Sequence, residues 1–204
     1  MPWKNGQGAT REIAVHPEGA SLDNFMWRVS LAQVNAPGPF SLFRDCDRIL
    51  CVVRGGPLYL SVAKAQPCRL DIDTPFNFAA DVETEATALE EPVLDFNVMV
   101  RRGYHRASIE CCREPVNLPA SSHTRLVFVK EGAARTAGEV LRYGDTLLVG
   151  EEQTMIATGK GSVLYVVTLI AEAPSQRGAM HRPSQANEAR WSSAPSNSKG
   201  RSIS

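Results

Sequence analysis

The chain has 204 residues, with 22 Lys and Arg against 22 Asp and Glu, so its formal net charge is zero. That balance leaves no electrostatic footprint for nucleic acid. The longest apolar run, Val163 to Ala171 with one threonine, is too short for a bilayer-spanning helix. Hydrophobic residues make up 43%, enough for the core of one large or two small domains. No charged and apolar leader opens the chain, so a cytoplasmic location is expected. The five cysteines are odd in number and lack C-x-x-C spacing, which suits thiols in a reducing compartment. His16, His105, His123 and His181 stand singly, so neither a metal nor a cofactor is expected.

Residues Met1 to Ile13 read as a fixed arm. Asn5-Gly6 is a tight-turn signal, because both residues tolerate positive φ. Two readings of the arm stand open: a hairpin plugged by Trp3, or a ligand-facing segment carrying Lys4 and Asn5. It lacks the spacing of a phosphate-binding loop. Thr10, Glu12 and Ala14 then alternate with Arg11, Ile13 and Val15, as in a strand. Phe25 to Val34 alternates in the same way and is a second strand. Ile49 to Val53 is a continuous β-rich run stopped by Gly55-Gly56-Pro57, and Leu58 to Val62 alternates again. A short strand and a Thr74-Pro75 turn follow, Glu85 to Leu89 is ambiguous, and Val93 to Arg101 is a strong strand. Nothing before Asn117 has the periodicity of a long amphipathic helix.

The second half repeats the first. Arg48 to Gly55 and Arg125 to Gly132 each place an arginine before a β-rich run closed by glycine. Val93 to Val100 is answered by Val163 to Ile170, and Leu141 to Val149 reads as strand, turn, strand. Short strands at even spacing with Gly and Pro turns predict two small β-barrels packed together. The expected boundaries are residues 1–115, 116–170 and a polar tail, 171–204. The serine-rich tail has few large hydrophobes and is expected to be disordered, with a partner-gripping role as the alternative.

Three blocks in order resemble the HutD/Ves family: Pro2-Trp3-Lys4-Asn5-Gly6 with Gly8, Thr10, Glu12 and Ile13; Trp27 to Ala32 with Gly38-Pro39-Phe40-Ser41, Phe43 and Asp47-Arg48; and Asp95 to Gly103. Gln7 stands where members usually have Gly, and Arg44-Asp45 where they often have Pro-Gly. Members also carry a strand ahead of the first block, whereas Met1 falls inside it here. The resemblance implies an all-β bicupin, two cupin-like barrels of the RmlC-like jelly-roll type. It also implies a link to histidine utilisation, with urocanate or N-formylglutamate as natural ligands, or to stress response in the Ves branch.

Metal-binding cupins use H-x-H, a nearby Glu and a later His, and none of these is present. Arg48 stands seven residues before Gly55, where the cupin Glu would be. A guanidinium has no lone pair for a cation but forks onto a carboxylate or phosphate, and of these the resemblance implies a carboxylate. The expected ligand is therefore a small carboxylate, with a homodimer left open and neither nucleic acid nor membrane as partner. Strand parity puts Arg28 with Ser30, and Asp95 with Asn97, Met99 and Arg101. If Phe96, Val98 and Val100 pack outward, that polar set lines the first barrel. The candidate ligand-binding residues are Trp3, Lys4, Asn5, Arg28, Ser30, Arg48, Asn97, Met99 and Arg101. No catalytic residue is assigned. The competing reading has Arg28 or Arg48 merely neutralising a buried Asp47 or Asp95. Two further alternatives are a metal-independent isomerase or hydrolase with Glu12, Asp47 or Asp95 as base, and an interaction module with a filled barrel.

Overall fold

The computed structural model describes residues 8–172. The arm residues Trp3, Lys4 and Asn5, and the tail from residue 173, lie outside the described residues. Ala171 and Glu172, which the sequence assigns to the tail, belong to the fold. Ala171 ends the last strand, and Glu172 bonds the Tyr104 carbonyl and pairs with Arg106 at 2.8 Å.

Strand β1 (Gly8–His16) precedes two sets of eight. The first set is β2 (Trp27–Val34), β3 (Gly38–Pro39), β4 (Cys46–Arg54), β5 (Leu58–Val62), β6 (Cys68–Leu70), β7 (Phe76–Ala79), β8 (Thr84–Leu89) and β9 (Val93–Arg101). The second is β10 (His105–Cys112), β11 (Val116–Leu118), β12 (Thr124–Glu131), β13 (Ala133–Arg135), β14 (Val140–Arg142), β15 (Thr146–Val149), β16 (Thr154–Thr158) and β17 (Val163–Ala171). The first set forms sheets ordered β2-β9-β4-β7 and β3-β8-β5-β6, with β1 added beside β2. The second forms β10-β17-β12-β15 and β11-β16-β13-β14, the same order element for element. The fold is an all-β bicupin, with no helix among the described residues. Consequently no helix there is long and apolar enough to cross a membrane. β10 pairs along its length with β17, so residues 105–112 run with the second set of ladders.

The repeated glycine has a steric cause. Gly55 and Gly132 both sit at positive φ, 77° and 72°. A Cβ on Gly55 would collide with the Pro92 carbonyl, and one on Gly132 with Ser162. Each lets the bulged end of its strand, β4 or β12, pass under the loop entering its neighbour, β9 or β17.

The two halves join through sheet faces. Trp27, Val29 and Leu31 of β2, Ile49, Cys51 and Val53 of β4, and Phe96, Val98 and Val100 of β9 point one way. They pack on Leu126 and Phe128 of β12 and on Tyr165, Val167 and Leu169 of β17. Phe96 stacks on Phe128 at 5.0 Å and meets Tyr165 edge-on at 5.5 Å. Burying each large side chain of this seam stabilises by about 1.5–3 kcal/mol. At one end the seam turns polar. Asp73 of the first half accepts Tyr165 Oη at 2.6 Å and Arg113 Nη2 at 2.7 Å, both from the second. Lys130 Nζ lies 3.2 Å away, nearly buried at 11% side-chain exposure.

Candidate functional site

Because Phe96, Val98 and Val100 face the seam, strand alternation turns Asp95, Asn97 and Met99 into the first barrel. The neighbouring strands align with them. Arg28, Met99 and Arg48 form one row across β2, β9 and β4, followed by Ser30, Asn97 and Leu50, then Ala32, Asp95 and Val52. Arg28, Ser30, Arg48, Asp95 and Asn97 are all buried. The fold therefore brings four of the sequence candidates, Arg28, Ser30, Arg48 and Asn97, onto one inward face.

Their partners differ. Arg28 Nε meets Glu12 Oε2 of β1 at 2.7 Å, and its Nη1 lies 3.3 Å from Ser30 Oγ. Arg48 gives both Nε and Nη2 to a single oxygen, Asn97 Oδ1, at 2.8 and 2.6 Å. Asn97 Nδ2 in turn donates to Asp95 Oδ1. The other carboxylate oxygen, Asp95 Oδ2, is buried with no partner among the described residues. The Arg48 guanidinium lies over the Phe40 ring at 4.6 Å and near Phe78 at 5.7 Å. Burial lowers the Arg48 pKa to about 10, with the charge of Arg28 adding to the fall and Asp95 opposing it. Burial likewise raises Asp95 to about 6, against the lowering effects of Arg48, Asn97 and the Ala32 amide.

The remaining candidates are placed elsewhere. Met99 lies in ladder register between the two arginines but packs with Phe25, Cys46 and Ala80. Arg101 spends its guanidinium on loop carbonyls, with Nε 3.1 Å from Phe25 O and Nη2 3.0 Å from Asp23 O. Trp3, Lys4 and Asn5 lie outside the described residues. Asp47, weighed as a partner for Arg28 or Arg48, is half exposed and pairs with Arg102 at 3.4 Å. A surface cleft of about 490 Å³ between β1 and the β14–β15 turn carries Arg11 and Asp145, both exposed. It gathers none of the buried charges, so the site is assigned to the barrel interior.

The second barrel is an internal control. Arg125 pairs with Thr168 as Arg48 pairs with Met99. Counting along the same ladders, Val166 and Leu164 take the places of Asn97 and Asp95. Both are buried in an apolar cluster with Val127, Val129 and Ile156. Arg125 itself reaches out to the Pro119 carbonyl at 2.6 Å and the Gly150 carbonyl at 3.3 Å. The same scaffold thus closes one barrel with an apolar core and puts a charged relay in the other. Nothing in the packing of the fold demands that relay.

Sequence reasoning missed two parts of the site and left a third out of the ligand-binding set. Glu12 appears in it only as a possible base, Phe40 only as part of the Gly38–Ser41 block, and Asp95 as a buried partner for Arg28 or Arg48 or a possible base. The Asp95-x-Asn97 spacing was the available signal for the relay. Glu12 had no clean signal, because a bulge between Glu12 and Ala14 breaks the alternation of β1 and turns Ala14 to the seam.

The HutD family model matches residues 1–165. The chain belongs to the HutD family. Protein Ves of Citrobacter koseri is 32% identical over 159 residues, 78% of this chain and 78% of that one. The structure of HutD from Pseudomonas fluorescens SBW25 superimposes with a TM-score of 0.75 at 26% identity, covering 85% of this chain and 94% of that one. A conserved protein of unknown function from Pseudomonas aeruginosa PAO1 gives 0.74 at 28%, with the same coverage. Salicylate 1,2-dioxygenase from Pseudoaminobacter salicylatoxidans shares the fold alone, at 10% identity and a TM-score of 0.56 over 78% of this chain and 76% of that one. Membership in the HutD family and the bicupin fold agree with the resemblance seen in the three sequence blocks.

Proposed function

We propose that this HutD-family chain is a cytoplasmic small-carboxylate-binding protein, with Arg48 as the anion-holding group in the first barrel. The carrying observation is the partner set of Arg48. Its guanidinium is buried, and among the described residues its hydrogen bonds go to the neutral Asn97. A buried arginine with no direct carboxylate is suited to receive one. Arg28, by contrast, is neutralised by Glu12 and serves to hold the row of side chains in place. Urocanate and N-formylglutamate, the ligands that the family suggests, both present a carboxylate, and a role in modulating histidine utilisation follows from binding either.

Calorimetric titration of both compounds into wild type and Arg48→Ala, with melting curves on each protein, tests this reading. A desolvated charged hydrogen bond contributes roughly 1.5–3 kcal/mol. Arg48→Ala should therefore weaken binding by about tenfold to a hundredfold, and Arg48→Lys should recover only part of the loss. Equal affinity in a folded Arg48→Ala protein would remove Arg48 from the site.

One observation favours a second reading. Among the described residues, Asp95 has no direct Arg or Lys partner and keeps one oxygen unpaired. That arrangement suits the base of a metal-independent isomerase or hydrolase. Consumption of either compound by wild type but not by Asp95→Asn would establish it, whereas stoichiometric binding without turnover would dismiss it.

A further inference from the structure

We infer that anion binding at Arg48 is coupled to protonation of Asp95, so that the first barrel takes up one carboxylate together with a proton. This rests on the reading of Arg48 as the anion site. Charge must balance in a buried space. Arg28 is matched by Glu12 at 2.7 Å. Arg48 is matched by Asp95 only through Asn97. The unliganded set is therefore neutral overall. A carboxylate arriving at Arg48 would leave a net negative charge centred on Arg48, Asn97 and Asp95, all of them buried, which is costly.

Asp95 is the group placed to relieve that charge. It is fully buried, and its Oδ2 has no partner among the described residues. A proton on Oδ2 leaves Oδ1 free to go on accepting from Asn97 Nδ2, so the relay keeps its geometry in both protonation states. Among the described residues, the other carboxylate of the set is Glu12, and it is already engaged by Arg28. Arg28 stands on β2 with Glu12 of β1 beyond it, and Arg48 stands on β4. Its own row neighbours are Ala32 and Val52, and the opposite sheet presents Leu58, Leu60 and Ala86, all uncharged. Burial already holds the Asp95 carboxyl at about 6, with the charge of Arg48 opposing the rise. An anion that engages Arg48 weakens that opposition and moves Asp95 further up.

The sign follows from linkage. Near pH 7 Asp95 is mostly ionised in the free protein and more protonated in the complex, so binding takes up protons and strengthens as pH falls. The probe is N-formylglutamate, whose carboxylates stay ionised across the range used. Titration into wild type at pH 7 in buffers of different ionisation enthalpy should show net proton uptake. Affinity should fall by up to about tenfold per pH unit between pH 6.5 and 8.5. Asp95→Asn should bind without uptake and with a flat pH profile. Wild-type binding with no proton uptake would overturn the coupling while leaving the anion site standing, and so would uptake that persists in Asp95→Asn. Absence of binding at every pH would end both. If Asp95→Asn does not fold, the Asp95 carboxyl carbon resonance in wild type decides: movement of its titration to higher pH on adding N-formylglutamate supports the coupling, and an unmoved titration refutes it.

Discussion

Asp95 should make the stability of the unliganded protein fall as pH rises, opposite to the usual surface carboxylate. Its carboxyl is held up at about 6 by burial, against an ordinary value of 3.8. A raised pKa means that the folded chain binds the proton more tightly than the unfolded chain does. The stabilising contribution is then complete below about pH 4, where both states are protonated, and is lost as pH climbs through about 6. At about 1.4 kcal/mol per pKa unit, the span from 3.8 to about 6 corresponds to about 3 kcal/mol. No discount for solvent applies, because Asp95 is fully buried. The assay is urea unfolding of wild type and Asp95→Asn at intervals from pH 4 to 8. The difference between the two proteins at each pH cancels every other titrating group that they share. Stability of wild type relative to Asp95→Asn should drop by about 2–2.5 kcal/mol across that range, most of it between pH 4 and 6.5. A difference that stays constant with pH would show that Asp95 does not titrate in this window. The account of a buried carboxylate answered only through Asn97 would then be wrong.

Three further outcomes are expected. Asp73→Ala removes the acceptor shared by Tyr165, Lys130 and Arg113, and leaves the nearly buried Lys130 with only the more distant Glu131 carboxylate, at 3.7 Å, among the described residues. It should cost about 3–5 kcal/mol in urea unfolding, and a loss below about 1 kcal/mol would show that the seam does not depend on it. Gly55→Ala and Gly132→Ala should each cost about 2–4 kcal/mol by thermal melting, since each forces positive φ and a backbone or side-chain collision; unchanged melting of either would contradict the shared steric cause. Cys51 is fully buried, and burial pushes its thiol up to about 12, so it should resist thiol reagents in the native protein and react only on unfolding. Native-state labelling at Cys51, located by mass spectrometry, would contradict that.

Most of the fold was legible in the sequence because β-structure writes itself locally. Alternation in Trp27 to Val34, the continuous runs at Ile49 and Val93, and the two Arg-to-Gly segments gave the strands and the repeat directly. The elements that escaped were β3, β7, β10, β11, β13 and β16, which are short or carry polar residues along one exposed side. Such strands are held by their ladder partners, so their own residues carry little signal. Parity likewise placed Arg28, Ser30 and Asn97 on faces, and the two-residue period fixed which residues could share one.

The sequence could not say which face would be the interior. Either face of β9 could have met the second barrel, and only the packing of Phe96, Val98 and Val100 on Phe128 and Tyr165 turned Asp95 and Asn97 inward. Partner choice was decided at the same level. Arg28 and Arg48 look alike along the chain, yet β1 delivers Glu12 to the first, while the second is left with Asn97. That outcome depends on ladder register between strands dozens of residues apart, and hence on a burial pattern summed over whole sheets rather than on any local preference.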